Sequence, residues 1–440
     1  MIKFINKTVF VISALIFLCA VCTEASGVKY IFIFIGDGMS AASESAASRF
    51  LYGQDNKLVW HSFPVRTFVT TWSLSSYKGE YKKDNFDADK GYDISAAGDK
   101  PYPYLFSPQA EKYFEKSEAT DSAAAGSAIS TGQKFFNGSV CLNNNNPVKN
   151  IIDIIKENGG FNTALVTTTL FYHATPASFS SHNKSRDNYR QIAEEILSKT
   201  KPELVFGSND FFYLREFSQD NGYYLADSSD IGKPRVFDDT ADKKIFINLN
   251  NYSVPAVRNE WNEPDFIYEE NNIKFKDMIL LSAGLLLDKK KKFFIMAEQS
   301  QIDSANHENN YVKMLASVFE LNEGVKALVS LINSGKTDMN WNNTLVIVTA
   351  DHATGFLRFD KILGRGQLPK KNIILGKNIL KRNESISYKT TKHTNELVGC
   401  YAAGADSELF YKYIGKLYKN KNIINNTDIF NVLRETVSNK

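Results

Sequence analysis

A chain of 440 residues, 43% hydrophobic and 23% charged, has the composition of an ordinary globular protein and the length of one large α/β domain with insertions, or of two domains. A net charge of +3 excludes a strongly basic nucleic-acid-binding surface, and the lysine-rich stretches at 289–292 and 416–421 are short enough to be solvated faces. Four cysteines in a chain of this length exclude a disulfide framework.

The N-terminus reads as a secretory leader over 1–25. Lys3 and Lys7 precede an apolar run from Val9 to Val21, and Ala25, Ser26 and Gly27 follow it. That run is short for a membrane span. No later segment is long enough to span, and the last residues carry no hydrophobic tail for a lipid anchor. The expectation is an exported product, periplasmic or secreted, without a stable membrane anchor. Its remaining Cys141 and Cys400 form one bridge or two free thiols.

Short apolar runs then recur, each ending in a polar turn. Tyr30 to Ile35 ends in Gly36-Asp37-Gly38, Thr163 to Thr167 leads to His173-Ala174-Thr175-Pro176, Phe293 to Ala297 ends at Glu298, and Leu345 to Thr349 ends at Asp351-His352. Continuous runs of this kind are buried strands of a parallel sheet. Helical stretches fit between them at 150–158, 188–197 and 312–331. The alternation predicts an α/β fold whose site lies at the carboxyl ends of the strands. Two stretches break the rhythm. Residues 73–116 read as an inserted surface loop or lid, and residues 202–268 as a peripheral region with weak β character.

Thr120-Asp121-Ser122-Ala123-Ala124-Ala125-Gly126-Ser127 sets one serine behind an acid and before very small residues. The alanines favour a helix starting here, and a helix start favours an anion. Ser122 is therefore a candidate nucleophile. The plainer reading is a capped alanine-rich helix. Of the 6 histidines, His307 lies one helical turn from Asp303, His352 follows Asp351, and His393 stands alone. With Glu298 and Asp37 they form a set suited to metal ions. Each alone has an ordinary reading as a cap, a turn or a surface residue.

These motifs together resemble the alkaline phosphatase family: Phe34-Ile35-Gly36-Asp37-Gly38-Met39, Thr120-Asp121-Ser122-Ala123-Ala124, His173-Ala174-Thr175-Pro176-Ala177, Glu298 with Ile302-Asp303 and His307, Thr349-Ala350-Asp351-His352, and His393-Thr394. The resemblance runs from about Val28 to about Leu409. It implies a catalytic domain over 28–440, a three-layer sandwich with a central, mostly parallel sheet flanked by helices. It also implies two Zn2+ and one Mg2+. Asp303, His307 and His393 would hold the first zinc; Asp351, His352 and Asp37, with Ser122, the second; Asp37, Thr175 and Glu298 the magnesium. The donor sets agree with those ions, mixed nitrogen and oxygen for zinc and all oxygen for magnesium. Arg186 falls where the family grips phosphate, bidentately by its nature, and Asp121 can orient it.

The implied reaction is hydrolysis of small phosphate monoesters through a phosphoserine on Ser122, releasing inorganic phosphate, in a homodimer. The pattern departs from the family at two places. His173 stands where some members carry Asp, and Ser304 where others carry Lys, His or Trp, so the third metal's identity stays open. Two alternatives compete: a phosphodiesterase or sulfatase of the same superfamily, and a non-catalytic phosphate-binding relative. Diesterases of the group present Thr and sulfatases a modified Cys where this chain has Ser122. The full set of nucleophile, Arg and ligands argues against loss of catalysis.

Overall fold

The computed structural model describes residues 27–97, 108–116, 118–233, 235–250, 252–260, 263–369, 374–375, 378–379 and 385–438. The expected leader at 1–25 lies outside them. Ten strands form one sheet: β1 (Tyr30–Gly36), β2 (Val65–Thr70), β3 (Phe161–Leu170), β4 (Leu204–Ser208), β5 (Tyr223–Asp227), β6 (Lys244–Asn248), β7 (Lys292–Gln299), β8 (Thr344–Thr349), β9 (Val398–Gly404) and β10 (Ile423–Asn425). Their spatial order is β10-β2-β9-β8-β1-β7-β3-β4-β6-β5. Only β9 runs against the rest.

All seven residues of β1 and all six of β8 are buried. A strand covered on both faces has no polar side to show, which is why these segments read as unbroken apolar runs. The covering helices are α1 (Ala41–Tyr52), α2 (Ser122–Thr131), α3 (Ile151–Asn158), α4 (Ala174–Ser180), α5 (Tyr189–Glu195), α6 (Phe275–Asp288), α7 (Gln301–His307), α8 (Tyr311–Asn333) and α9 (Asn426–Ser438). They gather in two groups. One packs α1, α6 and α7 around α8, and the other packs α4 and α9 against α2 with α3 beside them. The result is the three-layer, mostly parallel α/β architecture expected from the motifs. Among the described residues, no helix is long and apolar enough to cross a membrane.

Residues 202–268 lie at the periphery of the sheet. They are no separate unit, because β4, β5 and β6 extend the central sheet in parallel at its far edge. Only the hairpin Ala256–Glu260 with Glu263–Ile267 stands apart. The described parts of 73–116 include the helix Pro108–Lys116 and two shorter helical turns at Ala88–Lys90 and Ile94–Ala97, and they are anchored. Ala88, Tyr92, Ala110 and Phe114 join Trp72, Phe356, Leu397, Tyr418 and Ile423 in a second, small apolar core. Cys141 and Cys400 are both buried free thiols.

Candidate metal centre and phosphate site

The register of the central strands assembles the site. β1 lies between β7 and β8, with Ile35 opposite Glu298 on one side and Thr349 on the other. Three carboxylates therefore arrive at neighbouring strand ends: Asp37 just past β1, Glu298 at the end of β7, and Asp351 just past β8. All three are buried. Gly38 turns the chain after Asp37 with φ +67°, and a Cβ there would stand 2.5 Å from Asp303 Oδ1. Only glycine meets both demands.

Helix α7 leaves β7 and carries Asp303 and His307 on one face, four residues apart. The two-residue strand His393–Thr394 pairs antiparallel with Ala353–Thr354. That pairing stacks the His393 ring on His352 with centroids 3.7 Å apart. Strand β3, beside β7, leads into α4, whose N-cap is His173 and whose second residue is Thr175. Ser122 is the first residue of α2, and Asp121 caps that helix by accepting from the Ala124 N–H at 3.0 Å.

The ligand atoms converge. His307 Nε2 lies 3.1 Å from both His393 Nε2 and Asp303 Oδ2. His352 Nε2 lies 3.2 Å from Asp351 Oδ2, 3.5 Å from Asp37 Oδ1 and 3.0 Å from Ser122 Oγ. Three groups have potential ligand atoms all within 4.8 Å of one another: Asp303, His307 and His393; Asp37, Asp303 and His352; and Asp37, His173 and Glu298. Asp303 belongs to two of them, a bridging position that spacing alone did not disclose.

The outer ring nitrogens fix the tautomers. His393 Nδ1 meets the Thr120 carbonyl at 2.8 Å, and His307 Nδ1 meets the Thr391 carbonyl at 2.5 Å. A carbonyl only accepts, so each Nδ1 carries a proton. His393 thus turns a bare Nε2 inward, whereas His307 Nε2 faces the Asp303 carboxylate. That contact raises the His307 ring above its ordinary value and favours a second proton there until a metal displaces it. His352 Nδ1 meets Thr354 Oγ1 at 3.3 Å, and that hydroxyl spends its own proton on Asp303 Oδ1 at 2.6 Å. The same logic bares His352 Nε2. Inward lone pairs beside clustered carboxylates need a cation to hold them together. Asp37 Oδ1, Glu298 Oε1 and Asp351 Oδ2 are buried without a hydrogen-bond partner among the described residues. The donor chemistry thus fits metal ions.

The electrostatics agree. Burial and the charges of Asp351, Asp303 and Glu298 raise Asp37 well above the carboxylate range. Burial raises Glu298 to about 7 against the Thr167 and Thr175 hydroxyls. Burial and Asp303 raise Asp351 to about 6. Burial opposes ionisation of Asp303 too, but the His307 hydrogen bond and the nearby His352 and His393 hold it below the ordinary value. Burial depresses His352, His393 and His173 to about 4 each, so these rings are neutral, as ligands must be.

Arg186 faces the same helix start. Its Nη1 lies 3.0 Å from Asp121 Oδ2 and its Nη2 3.2 Å from His173 Nε2. Burial works against the guanidinium charge, but Asp121 more than restores it. The Asp121 carboxylate thus serves α2 with one oxygen and Arg186 with the other.

Every residue selected from the sequence lies in or against this centre. Sequence reasoning missed three supporting hydroxyl and amide groups. Thr354 orients Asp303 and His352, Thr167 Oγ1 donates to Glu298 Oε2 at 2.5 Å, and Asn137 Oδ1 accepts from the Asp121 N–H at 3.3 Å. Thr354 had a readable signal, since residues two apart in an extended segment share a face with His352. A ring nitrogen of His173 lies within 4.8 Å of carboxylate oxygens of Asp37 and Glu298, while its Nε2 accepts from Arg186.

The alkaline phosphatase family model matches residues 80–206 and 267–406. Asp37 lies outside the matched segments, and the other eleven selected residues lie inside. Alkaline phosphatase 4 of Bacillus subtilis is 32% identical over 250 residues, covering 54% of this chain and 50% of the relative. The human tissue-nonspecific isozyme is 24% identical over 395 residues, covering 79% and 66%. The chain spans about half the length of the Bacillus relatives it matches. In structure, the alkaline phosphatase of the Antarctic bacterium TAB5 superposes with a TM-score of 0.65 at 20% identity, covering 94% of this chain and 98% of the other. That of Thermus thermophilus gives 0.63 at 19% identity, covering 94% and 92%. With the family model matching more than half of its length, the chain belongs to the alkaline phosphatase family.

Proposed function

We propose that this chain hydrolyses phosphate monoesters, with Ser122 as nucleophile. One observation carries the reading. The Ser122 hydroxyl stands at the start of α2, 3.0 Å from the inward nitrogen of His352, where carboxylates, imidazoles and Arg186 converge. The free N–H groups of a helix start and a guanidinium both favour a phosphate there.

Asp303, His307 and His393 would hold one zinc ion, and Asp37, Asp351 and His352 a second beside Ser122. Asp37, Thr175 and Glu298 would hold magnesium. When bound, these ions supply the Lewis acidity that activates a serine hydroxyl and steadies a leaving oxygen. Ser122 Oγ then attacks phosphorus in line, forming an O–P bond as the ester oxygen departs. Water attacks the phosphoserine from the opposite side and returns the hydroxyl. Arg186, held by Asp121, grips the non-bridging oxygens throughout. Ser122 is buried, and the small side chains of Ala123, Ala124 and Ala125 crowd it little, which supports broad monoester specificity. Export and a homodimer belong to the same proposal, resting on the leader-like N-terminus and on the family.

A specific observation favours a variation at the third group. His173 brings a nitrogen to within 4.8 Å of the Asp37 and Glu298 oxygens, and an imidazole shifts preference from magnesium toward zinc or another transition metal. A TAB5 mutant has Mg bound in the site named M3.

The test is metal analysis paired with turnover of p-nitrophenyl phosphate, its bis-ester and its sulfate, before and after chelation and metal add-back. The expected result is monoester turnover that chelation abolishes and zinc restores. A Ser122→Ala protein as active as wild type would falsify the mechanism, and preferred turnover of the bis-ester or sulfate would favour the competing hydrolases.

A further inference from the structure

His182 lies between α4 and Arg186, outside the metal centre, and none of the steps above uses it. Its ring is tied on both sides. Nδ1 lies 3.3 Å from Glu195 Oε1, at the end of α5. Nε2 lies 3.2 Å from Asp153 Oδ2, in the first turn of α3, and 3.1 Å from the Val148 carbonyl. Carboxylates and a carbonyl are acceptors, so both ring nitrogens must donate, and only the imidazolium does that.

The residues around it form the tether that carries Arg186. Ser181 Oγ donates to the other Glu195 oxygen at 3.0 Å. Asn183 exchanges two backbone hydrogen bonds with Val140, at 2.9 and 2.8 Å, and the Arg186 N–H donates to Gly138 at 2.8 Å. The segment 181–186 is thus strung between α3, α5 and the 138–148 turn. His182 is its cross-link to all three. A cavity of about 650 Å³ opens beside the ring and gives protons access to it. The other charges facing the cavity are largely paired. Lys149 bonds Glu157 and Lys156 bonds Glu203, both at 2.7 Å, while Lys199 also lines the cavity.

We infer that His182, as an imidazolium, is a positioning residue that fixes the Arg186 segment and with it the grip on phosphate. The inference rests on the monoesterase reading of the site. Burial disfavours the charge, but the hydrogen bonds to Asp153 and Glu195 outweigh it and raise the ring to about 9 from 6.5. A value raised in the folded protein means the clamp is intact below that pH and is lost as pH rises through it. Phosphate affinity therefore loosens around pH 9 for a reason separate from the metals.

Calorimetric titration of inorganic phosphate into the zinc- and magnesium-loaded full chain tests this. His182→Gln keeps a neutral side chain of similar reach and removes the second donor and the charge. It should bind phosphate about tenfold more weakly at pH 7.5, the size of a lost charged contact transmitted to a neighbour. The wild-type to variant ratio should approach one at pH 10. In an Arg186→Ala background the His182 substitution should have no further effect. Glu195→Gln is the second variant, and it should weaken phosphate binding in the same direction. Thermal melts establish that each variant is folded. Should both fail to melt cooperatively, wild type and Arg186→Ala decide, since only wild type should lose affinity through pH 9. Phosphate binding that both variants leave unchanged, or weaken equally with and without Arg186, overturns the inference alone. A metal-loaded wild type that binds no phosphate overturns the monoesterase reading and this inference with it.

Discussion

Protons should compete with metal at this centre through its carboxylates and through His307, which its contact with Asp303 raises above the ordinary imidazole value, and not through the other imidazoles. His352, His393 and His173 lie at about 4, so they are already bare at neutral pH. Glu298 lies at about 7 and Asp351 at about 6, with Asp37 raised well above the ordinary range. The sign follows. A raised carboxylate holds its proton below its shifted value, so metal entering at lower pH must displace it. For one competing group at about 7, the binding penalty doubles to a factor of about 2 at pH 7 and about 100 at pH 5, so affinity falls about fiftyfold, or about 2 kcal/mol. Asp37 adds to that. The melting temperature of metal-free protein is a poor readout, because the raised carboxylates and the depressed imidazoles move stability in opposite directions as pH rises. Direct titration of Mg2+ or Mn2+ into stripped protein at the two pH values, in buffers of different ionisation heat, measures both affinity and protons released. Glu298→Gln should weaken binding at pH 7 and flatten the pH dependence. Equal affinity at the two pH values, or an unchanged slope in Glu298→Gln, would refute the assignment of the competing proton.

Asp121 separates capping from catalysis. Asp121→Asn keeps a side-chain oxygen for the Ala124 N–H and should melt near wild type, whereas Asp121→Ala should lose about 1 kcal/mol of helix capping; both should weaken phosphate inhibition, because both remove the charge that holds Arg186. Two equal inhibition constants matching wild type would show that Arg186 needs no partner. Gly38→Ala combines left-handed backbone strain, about 1–2 kcal/mol, with a clash against Asp303, so elemental analysis should find less bound metal per chain while circular dichroism stays close to wild type. Burial pushes the Cys141 thiol up to about 12 and raises Cys400 further. Neither should react with a thiol reagent at pH 8 until the chain is denatured; fast labelling of the native protein would contradict their burial.

The strand ends were legible because parallel strands buried on both faces leave uninterrupted apolar runs, and the chemistry begins at the first polar residue after each. Asp37, Glu298 and Asp351 were found that way. The far edge of the sheet was not. Leu204–Ser208 and Lys244–Asn248 bury only four residues each, and they sit among polar turns, so their runs are too short to separate from loop. Cys141 and Cys400 could not be assigned from a count, since pairing depends on elements that only the fold places: one follows the α2 helix and the other lies within β9.

Asp303 shows where sequence spacing stops being informative. The four-residue step to His307 follows from one helical turn, and it accounts for one carboxylate oxygen. The other oxygen is set by contacts distant in sequence. Thr354 Oγ1 donates to Oδ1 at 2.6 Å, Gly38 passes so close that no side chain fits, and His393 Nε2 lies 3.7 Å from the same atom. Those three come from the turn after β1, the turn after β8 and the short strand paired with it. The two-sided role of Asp303 therefore exists only once the β7, β1 and β8 ends are side by side. Substituting Asp303→Asn separates the two contributions of the residue. The amide keeps one acceptor oxygen and removes the charge that two ligand groups share. If Asp303 served His307 and His393 alone, metal should be lost from that group alone. If it bridges, metal binding at both groups should weaken together, and elemental analysis over a chelator series distinguishes the two outcomes.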